Sequence, residues 1–269
     1  MTDPPALLVR SWNIAHGRDI PPRERDGYGH VRRKHLGRMA ELMARDRPDL
    51  VLLQEVPVWA GPLLHEHSRM GYTLAPCYGA HVPFVHLPLP LAVGAAVGRA
   101  LPDVVRSQVE GQANAVLYSD ELLLVSARRA QLNDRHRLRG EPRIAQLVRL
   151  RHRASGRELA LANVHVDHGD SERQVERAGY LLERFARGAP MLIGGDLNAG
   201  PRSRAVRSLV ARGWVEDSGE VTIDHIFVRG LELELAPARW LPEWRDLALD
   251  GRRLRLSDHD PVDAVVAFS

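Results

Sequence analysis

Six segments of the chain combine an apolar run with side chains able to bind a cation or move a proton. They carry Trp12-Asn13, Gln54-Glu55, Asn163-Val164-His165, Gly195-Asp196-Leu197-Asn198, Ile223-Asp224-His225 and Ser257-Asp258-His259. Polar groups at the ends of buried strands are the usual way a layered α/β fold assembles a site. If these ends converge, Glu55, Asp196, Asp224 and Asp258 share a small volume. Two carboxylates about 4 Å apart at an effective dielectric near 20 repel by roughly 4 kcal/mol. Such a cluster needs a proton, a histidine cation or a metal ion to offset its charge. Hard oxygen ligands point to Mg²⁺ or Mn²⁺. Zinc is disfavoured, because no histidine pair has the tight helical spacing of HExxH. Cys77 is the single cysteine, which excludes an intramolecular disulfide framework and a Cys-rich zinc site.

The elements that must carry these groups alternate along the chain. Ala6–Ile14 reads as a strand with a polar end. His30–Arg47 places Leu36, Met39, Ala40 and Met43 at helical spacing, and Pro48 stops it. Asp49–Glu55 and Pro190–Asn198 are short continuous apolar runs, as expected of strands buried on both faces. Further strands are expected at Ala113–Ser119, Glu121–Leu132, Arg143–His152, Glu158–Asp167, Val221–Val228, Leu231–Leu235 and Val262–Phe268. Ser171 is a candidate cap for a helix with Val175, Ala178, Leu181, Leu182 and Phe185 on one side. Short turns between successive strands argue for mixed sheets and against a simple doubly wound one.

With 269 residues and 44% hydrophobic residues, the chain suits one globular domain, 1–269, rather than a fibrous or disordered one. The formal charge of +3 is too small to imply nucleic acid by itself. Lys34 is the only lysine, so the basic residues are almost all arginine, as a GC-rich coding sequence would favour. The longest apolar stretch, Val82–Leu101, is broken by Pro83, His86, Pro88, Pro90 and Arg99, so no stable membrane insertion is expected. A core helix after Pro90 is the expectation, with a lipid- or substrate-facing loop as the alternative. The opening residues carry no secretory pattern, so a cytoplasmic location is expected.

In order, the blocks SWN, LLQE, NVHV, GGDLN, IDHIFV and SDHDPV resemble the endonuclease/exonuclease/phosphatase superfamily, over Trp12 to Val262. The resemblance implies a four-layer α/β sandwich, with two mixed β-sheets packed face to face and helices on the outside. It also implies a Mg²⁺- or Mn²⁺-dependent hydrolase. Glu55 resembles the principal metal carboxylate, with Asn13 and Asp258 beside it. His259 matches the histidine that meets the scissile phosphate, and Asp224 the acid that fixes its tautomer. Asp196 resembles the acid that orients or deprotonates the attacking water. Asn198, two residues on in an extended segment, would project to the same side and bind a phosphoryl oxygen. His165 would donate to the developing charge. Asn114, in the block GQANAVL, and Arg143 are candidate substrate contacts. His16, His81, His86 and His168 read mainly as solvated or loop residues, although His168 in HVDH is close enough to line the site.

Thr222 and His225 stand where the family often has Arg and Tyr, and Val164 where Thr is common, which bears on substrate contacts rather than on activity. The expected substrate is a small-molecule, lipid-headgroup or nucleotide phosphoester. DNA or RNA stays open as an alternative, although no long basic insert with interleaved aromatics is present. A non-catalytic binding module of the same fold would have lost some of these polar groups, and all are present. The oligomeric state is left open.

Overall fold

The computed structural model describes residues 6–17, 32–78, 90–101, 110–133, 142–216, 222–249 and 251–269. Its first sheet contains β1 (Ala6–Asn13), β2 (Leu50–Pro57), β3 (Gly71–Tyr78), β4 (Gln112–Tyr118), β10 (Leu231–Arg239) and β13 (Val262–Phe268), in the order β10-β13-β1-β2-β4-β3. The second runs β5 (Leu122–Gln131), β6 (Ile144–His152), β7 (Glu158–His165), β8 (Met191–Asp196), β9 (Asp224–Arg229), in chain order. Both sheets are mixed. β1 and β2 are parallel, as are β7 and β8, and the other pairs are antiparallel.

The sheets face each other across a layer of aliphatic side chains. Val9, Leu52 and Val116 come from one sheet, and Val148, Leu161, Leu192 and Ile226 from the other. The helices α1 (Arg32–Met43) and α2 (Gly61–Ser68) cover the first sheet through Leu36, Met39, Met43 and Leu64. On the opposite outer face, α4 (Ser171–Ala186) and α5 (Arg204–Ala211) cover the second through Val175, Ala178, Leu182 and Leu209. Each strand of the centre therefore has apolar neighbours on both sides, which is why Asp49–Glu55 and Pro190–Asn198 read as unbroken apolar runs. Four layers result, as the sequence blocks implied.

Two expectations need correction. α3 (Leu91–Ala100) does follow Pro90, but it is a surface helix, with Val93 42% exposed, rather than a core one. Among its described side-chain positions only Gly94 and Gly98 are buried, and a Cβ at Gly98 would lie 2.3 Å from the Trp59 ring, so these glycines let the helix approach closely. Residues 82–89 of the same stretch, with Pro83, His86 and Pro88, and His81 before them lie outside the described residues. Asp170 rather than Ser171 precedes the first turn of α4, and neither its side chain nor another caps the helix. The helices α2 and α5, the strand β3 and a hairpin of β11 (Asp246–Leu249) and β12 (Arg252–Arg255) were not anticipated. No helix among the described residues is long and apolar enough to cross a membrane.

Candidate active site

Strand register places the polar ends in rows. Parallel pairing of β7 with β8 sets His165 beside Asp196, and antiparallel pairing of β8 with β9 sets Asp196 beside Asp224. In the facing sheet, Asn13 at the end of β1 pairs with Gln54 of β2. The register between β2 and β4 then shifts between Leu53 and Val56, and Glu55 takes a left-handed φ of 54°. An extra residue in a strand re-aims the side chains at the irregularity, and here it turns a carboxylate out of an apolar strand. The glycines of β8 let the two sheets and their strands approach. A Cβ on Gly194 would meet Leu52 at 2.5 Å, and one on Gly195 (φ 137°) would meet the Val164 carbonyl oxygen at 1.9 Å.

Beneath the site a buried amide joins the sheets. Asn163 on β7 accepts from Gln54 Nε2 at 2.7 Å and donates to the carbonyls of Leu53 and Ala115, each at 2.9 Å. Asn114 Nδ2 donates to the Asn163 carbonyl at 3.1 Å. Being buried, these groups need their partners, and meeting that need fixes the spacing of β2, β4 and β7.

The site itself is one connected network. Asn13 Oδ1 accepts from the Ala15 amide at 3.1 Å, while its Nδ2 donates to Glu55 at 3.3 Å and to Asp196 Oδ2 at 3.0 Å. Asn13 thus closes a turn and links two carboxylates at once. His259 Nδ1 lies 2.8 Å from Asp224 Oδ2, and its Nε2 lies 3.7 Å from Asp196 Oδ2. His165 Nε2 is 3.5 Å from the same Asp196 oxygen. Arg143 Nη1 stands 3.0 and 3.1 Å from the two ring nitrogens of His165, and its Nε donates to Asp167 at 2.8 Å. The loop carrying His259 is held from several directions. Ser257 Oγ donates to the Asn13 carbonyl, Trp12 Nε1 donates to the His259 carbonyl, and buried Arg245 donates to the carbonyls of Leu256 and Ser257 while pairing with Asp260.

These contacts set the charges. Burial pushes the Asp196 carboxyl up to about 6, and the neighbouring Asp224 charge pushes the same way against His259 and Asn13. Burial alone would lower His259, but Asp224, then Asp196 and Asp258, outweigh it and hold the imidazole at about 9. His165 goes the other way. Burial first, then the Arg143 charge, keep it well below the usual histidine range. Since an arginine can only donate, a neutral imidazole with an accepting nitrogen fits that neighbour.

Of the residues singled out in the sequence, the structure joins Asn13, Glu55, Asp196, Asp224 and His259 in this network, with His165 and Arg143 at its side. Asp258 differs: it is exposed, and among the described residues no hydrogen bond of the network goes to it, though its charge reaches His259. Asn198 has a φ of 45°, so the segment after Asp196 is not extended and alternation of sides does not apply to it. Its amide hydrogen is donated to Asp196 at 2.8 Å and its Nδ2 to the Val166 carbonyl at 2.9 Å. Asn114 is fully buried, with Nδ2 on Asn163 and Oδ1 accepting from Cys77, so its side chain braces the two sheets instead of facing a substrate. His168 is exposed. His16, read as a solvated or loop residue, is 3% exposed and lies against Glu55. Gln112, 3.3 Å from His165 Nδ1, was also missed, although it stands two residues from Asn114 in the same block.

The donor set fits a hard divalent cation. Asp224 Oδ1 is buried without a hydrogen-bond partner, and such an atom is costly unless something positive meets it. Asp196 and Asp224 offer carboxylate oxygens within 4.8 Å of one another and of His259, whose protonated ring is a charge partner rather than a ligand, and the half-buried carboxylate of Glu55 is tied in through Asn13. The one thiol, Cys77, is taken up with Asn114.

A sequence model of the endonuclease/exonuclease/phosphatase family matches residues 11–259. The chain belongs to this family. Endonuclease/exonuclease/phosphatase proteins hydrolyse phosphoester bonds and generally depend on a divalent metal. No curated protein matches the chain by sequence. Among solved structures, a family member from Bacteroides thetaiotaomicron has a TM-score of 0.71 at 16% identity, covering 99% of this chain and 96% of that one. The mannosyl-6-phosphatase of the same organism has a TM-score of 0.67 at 17% identity, covering 97% and 100%. The human nocturnin catalytic domain, solved with a bound sulfate, has a TM-score of 0.67 at 19% identity, covering 100% and 97%. At these identities the likeness establishes the shared fold.

Proposed function

We propose that the chain is one catalytic domain, a Mg²⁺- or Mn²⁺-dependent phosphoesterase. It would hydrolyse a phosphodiester or phosphomonoester of a small molecule, lipid headgroup or nucleotide by in-line attack of water. One observation carries the reading. His259 is pinned between Asp224 and Asp196, and Asn13 ties Asp196 to the half-buried Glu55, so proton-handling and metal-binding groups form a single unit.

The cation would be held by Glu55 with Asn13, and by Asp258 or by the nearer Asp196 and Asp224. When bound it supplies positive charge to the phosphoryl oxygens and the leaving oxygen. Asp196, with its carboxyl raised to about 6, suits the removal of a proton from water near neutral pH. His259 is a cation at that pH, and its Nε2 donates to a phosphoryl oxygen while Asp224 fixes the ring. His165, kept neutral, donates a further hydrogen bond, and Arg143 beside it clamps the anion. Asn198 would hold the Asp196 carboxylate through its backbone amide and bind a phosphoryl oxygen after giving up the Val166 carbonyl. Attack in line predicts inversion at phosphorus and no covalent intermediate. The same fold occurs in a mannosyl-6-phosphatase and in a domain that accepts a tetrahedral anion, which supports a phosphate-like ligand.

Hydrolysis of a generic aryl phosphodiester with Mn²⁺ or Mg²⁺ tests the proposal. Glu55→Ala and His259→Ala should each lower turnover by orders of magnitude. Unchanged rates would reject these roles. A panel of plasmid DNA, abasic duplex, RNA, inositol phosphates and sphingomyelin then assigns the substrate class.

A further inference from the structure

A second acid–histidine–acid arrangement lies directly behind Glu55, and no step proposed above uses it. His16 Nε2 is 3.4 Å from Glu55 Oε2, and His16 Nδ1 is 3.6 Å from Glu110 Oε1. The imidazole is buried, and its Nδ1 has no hydrogen-bond partner. Glu110 is fully buried and firmly held. Arg32 donates to both its oxygens, at 2.5 and 2.9 Å, and Trp59 Nε1 donates at 2.8 Å. The ring therefore stands between a buried carboxylate with three hydrogen-bond donors and a half-buried one that ends the network at the solvent side.

The backbone is strained at both ends of the His16–Glu55 contact. Ala15 and His16 have φ of 44° and 57°, and Glu55 has φ of 54°. Left-handed conformations at residues other than glycine are costly, and persist only where the surroundings impose them. Here the surroundings are visible. Asn13 Oδ1 binds the Ala15 amide, the Ile14 amide binds the Gln54 carbonyl, and α1 closes over the turn. His35 Nδ1 reaches the Gly17 carbonyl at 3.3 Å, and Leu36 occupies the space a Cβ on Gly17 would need. An ordinary loop histidine would not need itself and its alanine neighbour both held at positive φ ahead of Gly17, at φ 73°.

We propose that His16 is a positioning residue for the metal carboxylate: seated between Glu55 and Glu110, within ion-pair range of both, it fixes the orientation of Glu55 before a cation binds. The inference rests on the reading of Glu55 as a metal ligand. Groups that orient ligands from behind affect metal affinity by typically 10–100-fold. The Arg32–Glu110–Trp59 anchor explains how one carboxylate can face solvent in a fixed pose. It also gives a use to the glycine face of α3, which packs on Trp59 and lets the anchor be covered.

Calorimetric titration of the metal-free protein with Mn²⁺ tests this without reference to catalysis. His16→Phe keeps the ring volume and removes both nitrogens, and it should weaken Mn²⁺ binding at least tenfold. His16→Gln, whose amide can still donate to Glu55, should recover much of that loss. Far-UV circular dichroism verifies folding, and if His16→Phe does not fold, His16→Gln against His16→Leu decides by the same criterion. Folded His16→Phe with parental Mn²⁺ affinity would overturn the role. Glu55→Gln separates the two layers of the argument. If it binds Mn²⁺ as the parent does, Glu55 is not the ligand, and the positioning role falls while metal binding stands. A parent protein that takes up no Mn²⁺ overturns the metal reading and the positioning role with it.

Discussion

Asp224 acts on its two neighbours in opposite senses. It stabilises the protonated form of His259 by a 2.8 Å hydrogen bond, and it disfavours the charged form of Asp196 by repulsion. Removing its charge should therefore lower both titrations, one because an attraction is lost and the other because a repulsion is lost. In metal-free Asp224→Asn, followed by NMR of the His259 ring, the midpoint should fall from about 9 by a unit or more, toward the ordinary 6.5. Each unit is about 1.4 kcal/mol of differential interaction. A midpoint that stays near 9 would mean that Asp196 or Asp258, not Asp224, sets the charge of His259. His165 offers the complementary test. Arg143→Met removes a cation from beside a buried neutral ring, so the His165 midpoint should rise, and the KM for a phosphodiester should rise about tenfold if the guanidinium also holds the anion. The types and order of these groups could be read from the chain, because acids, amides and histidines at the ends of apolar runs have few structural uses. Their individual tasks could be read less well. Asn198 and Asn114 depend on a φ of 45° and on a cross-sheet carbonyl, and neither is encoded in spacing.

Strands and helices differ in how much of themselves the sequence reveals, and the reason is burial. The central strands β1, β2, β7 and β8 are covered on both faces and read as unbroken apolar runs, so their positions were evident within a few residues. β3 contains Pro76 and mostly half-buried side chains, and the β11–β12 hairpin has one apolar face of two leucines, so neither carries a strong period. The irregularity at Glu55 left no trace in LLQE, since only its pairing with β4 defines it. β8 shows the reverse case, where a visible feature had a hidden purpose. Gly194 and Gly195 stand in the apolar run Pro190–Asn198, and both remove a Cβ that would collide with a neighbour. Gly195→Ala should destabilise the protein by about 3 kcal/mol or more, since φ of 137° is open essentially to glycine alone and the added carbon meets a carbonyl at 1.9 Å. A urea midpoint unchanged from the parent would show that β8 and β7 can separate freely, contrary to the tight β7–β8 contact that sets Asp196 beside His165.

Because the site is built from groups with shifted titrations, it also shapes the pH dependence of the entire fold. His259 is raised to about 9 in the folded chain, against 6.5 unfolded. His225 moves in the same direction: burial would lower it, but Glu216, 2.8 Å away and buried with it, outweighs that. A histidine raised on folding contributes stability that is fully present below its unfolded value and is lost as pH climbs through its folded value. The opposing groups lie elsewhere on the scale. Glu110 and Asp167 are lowered by their partners against burial, so their contribution is lost only as pH falls through the carboxylate range. His165, lowered, penalises the fold only below the ordinary histidine value. Between pH 6.5 and about 9 the two raised histidines are therefore unopposed among these groups. Urea unfolding in the presence of EDTA should show stability falling across that window, by of order 3 kcal/mol from His259 alone. His259→Asn should flatten most of the slope, and Glu216→Gln a smaller part of it. Mn²⁺ should act against the trend. A cation that binds only the folded chain adds about 2.7 kcal/mol at a hundred times its dissociation constant, and the Asp196 carboxyl, raised to about 6, has lost its proton at the alkaline end. The Mn²⁺-induced gain should thus be larger at pH 8.5 than at pH 6. Equal gains at both, or a metal-free stability that rises with pH in this range, would mean that His259 and Asp196 do not share one electrostatic unit.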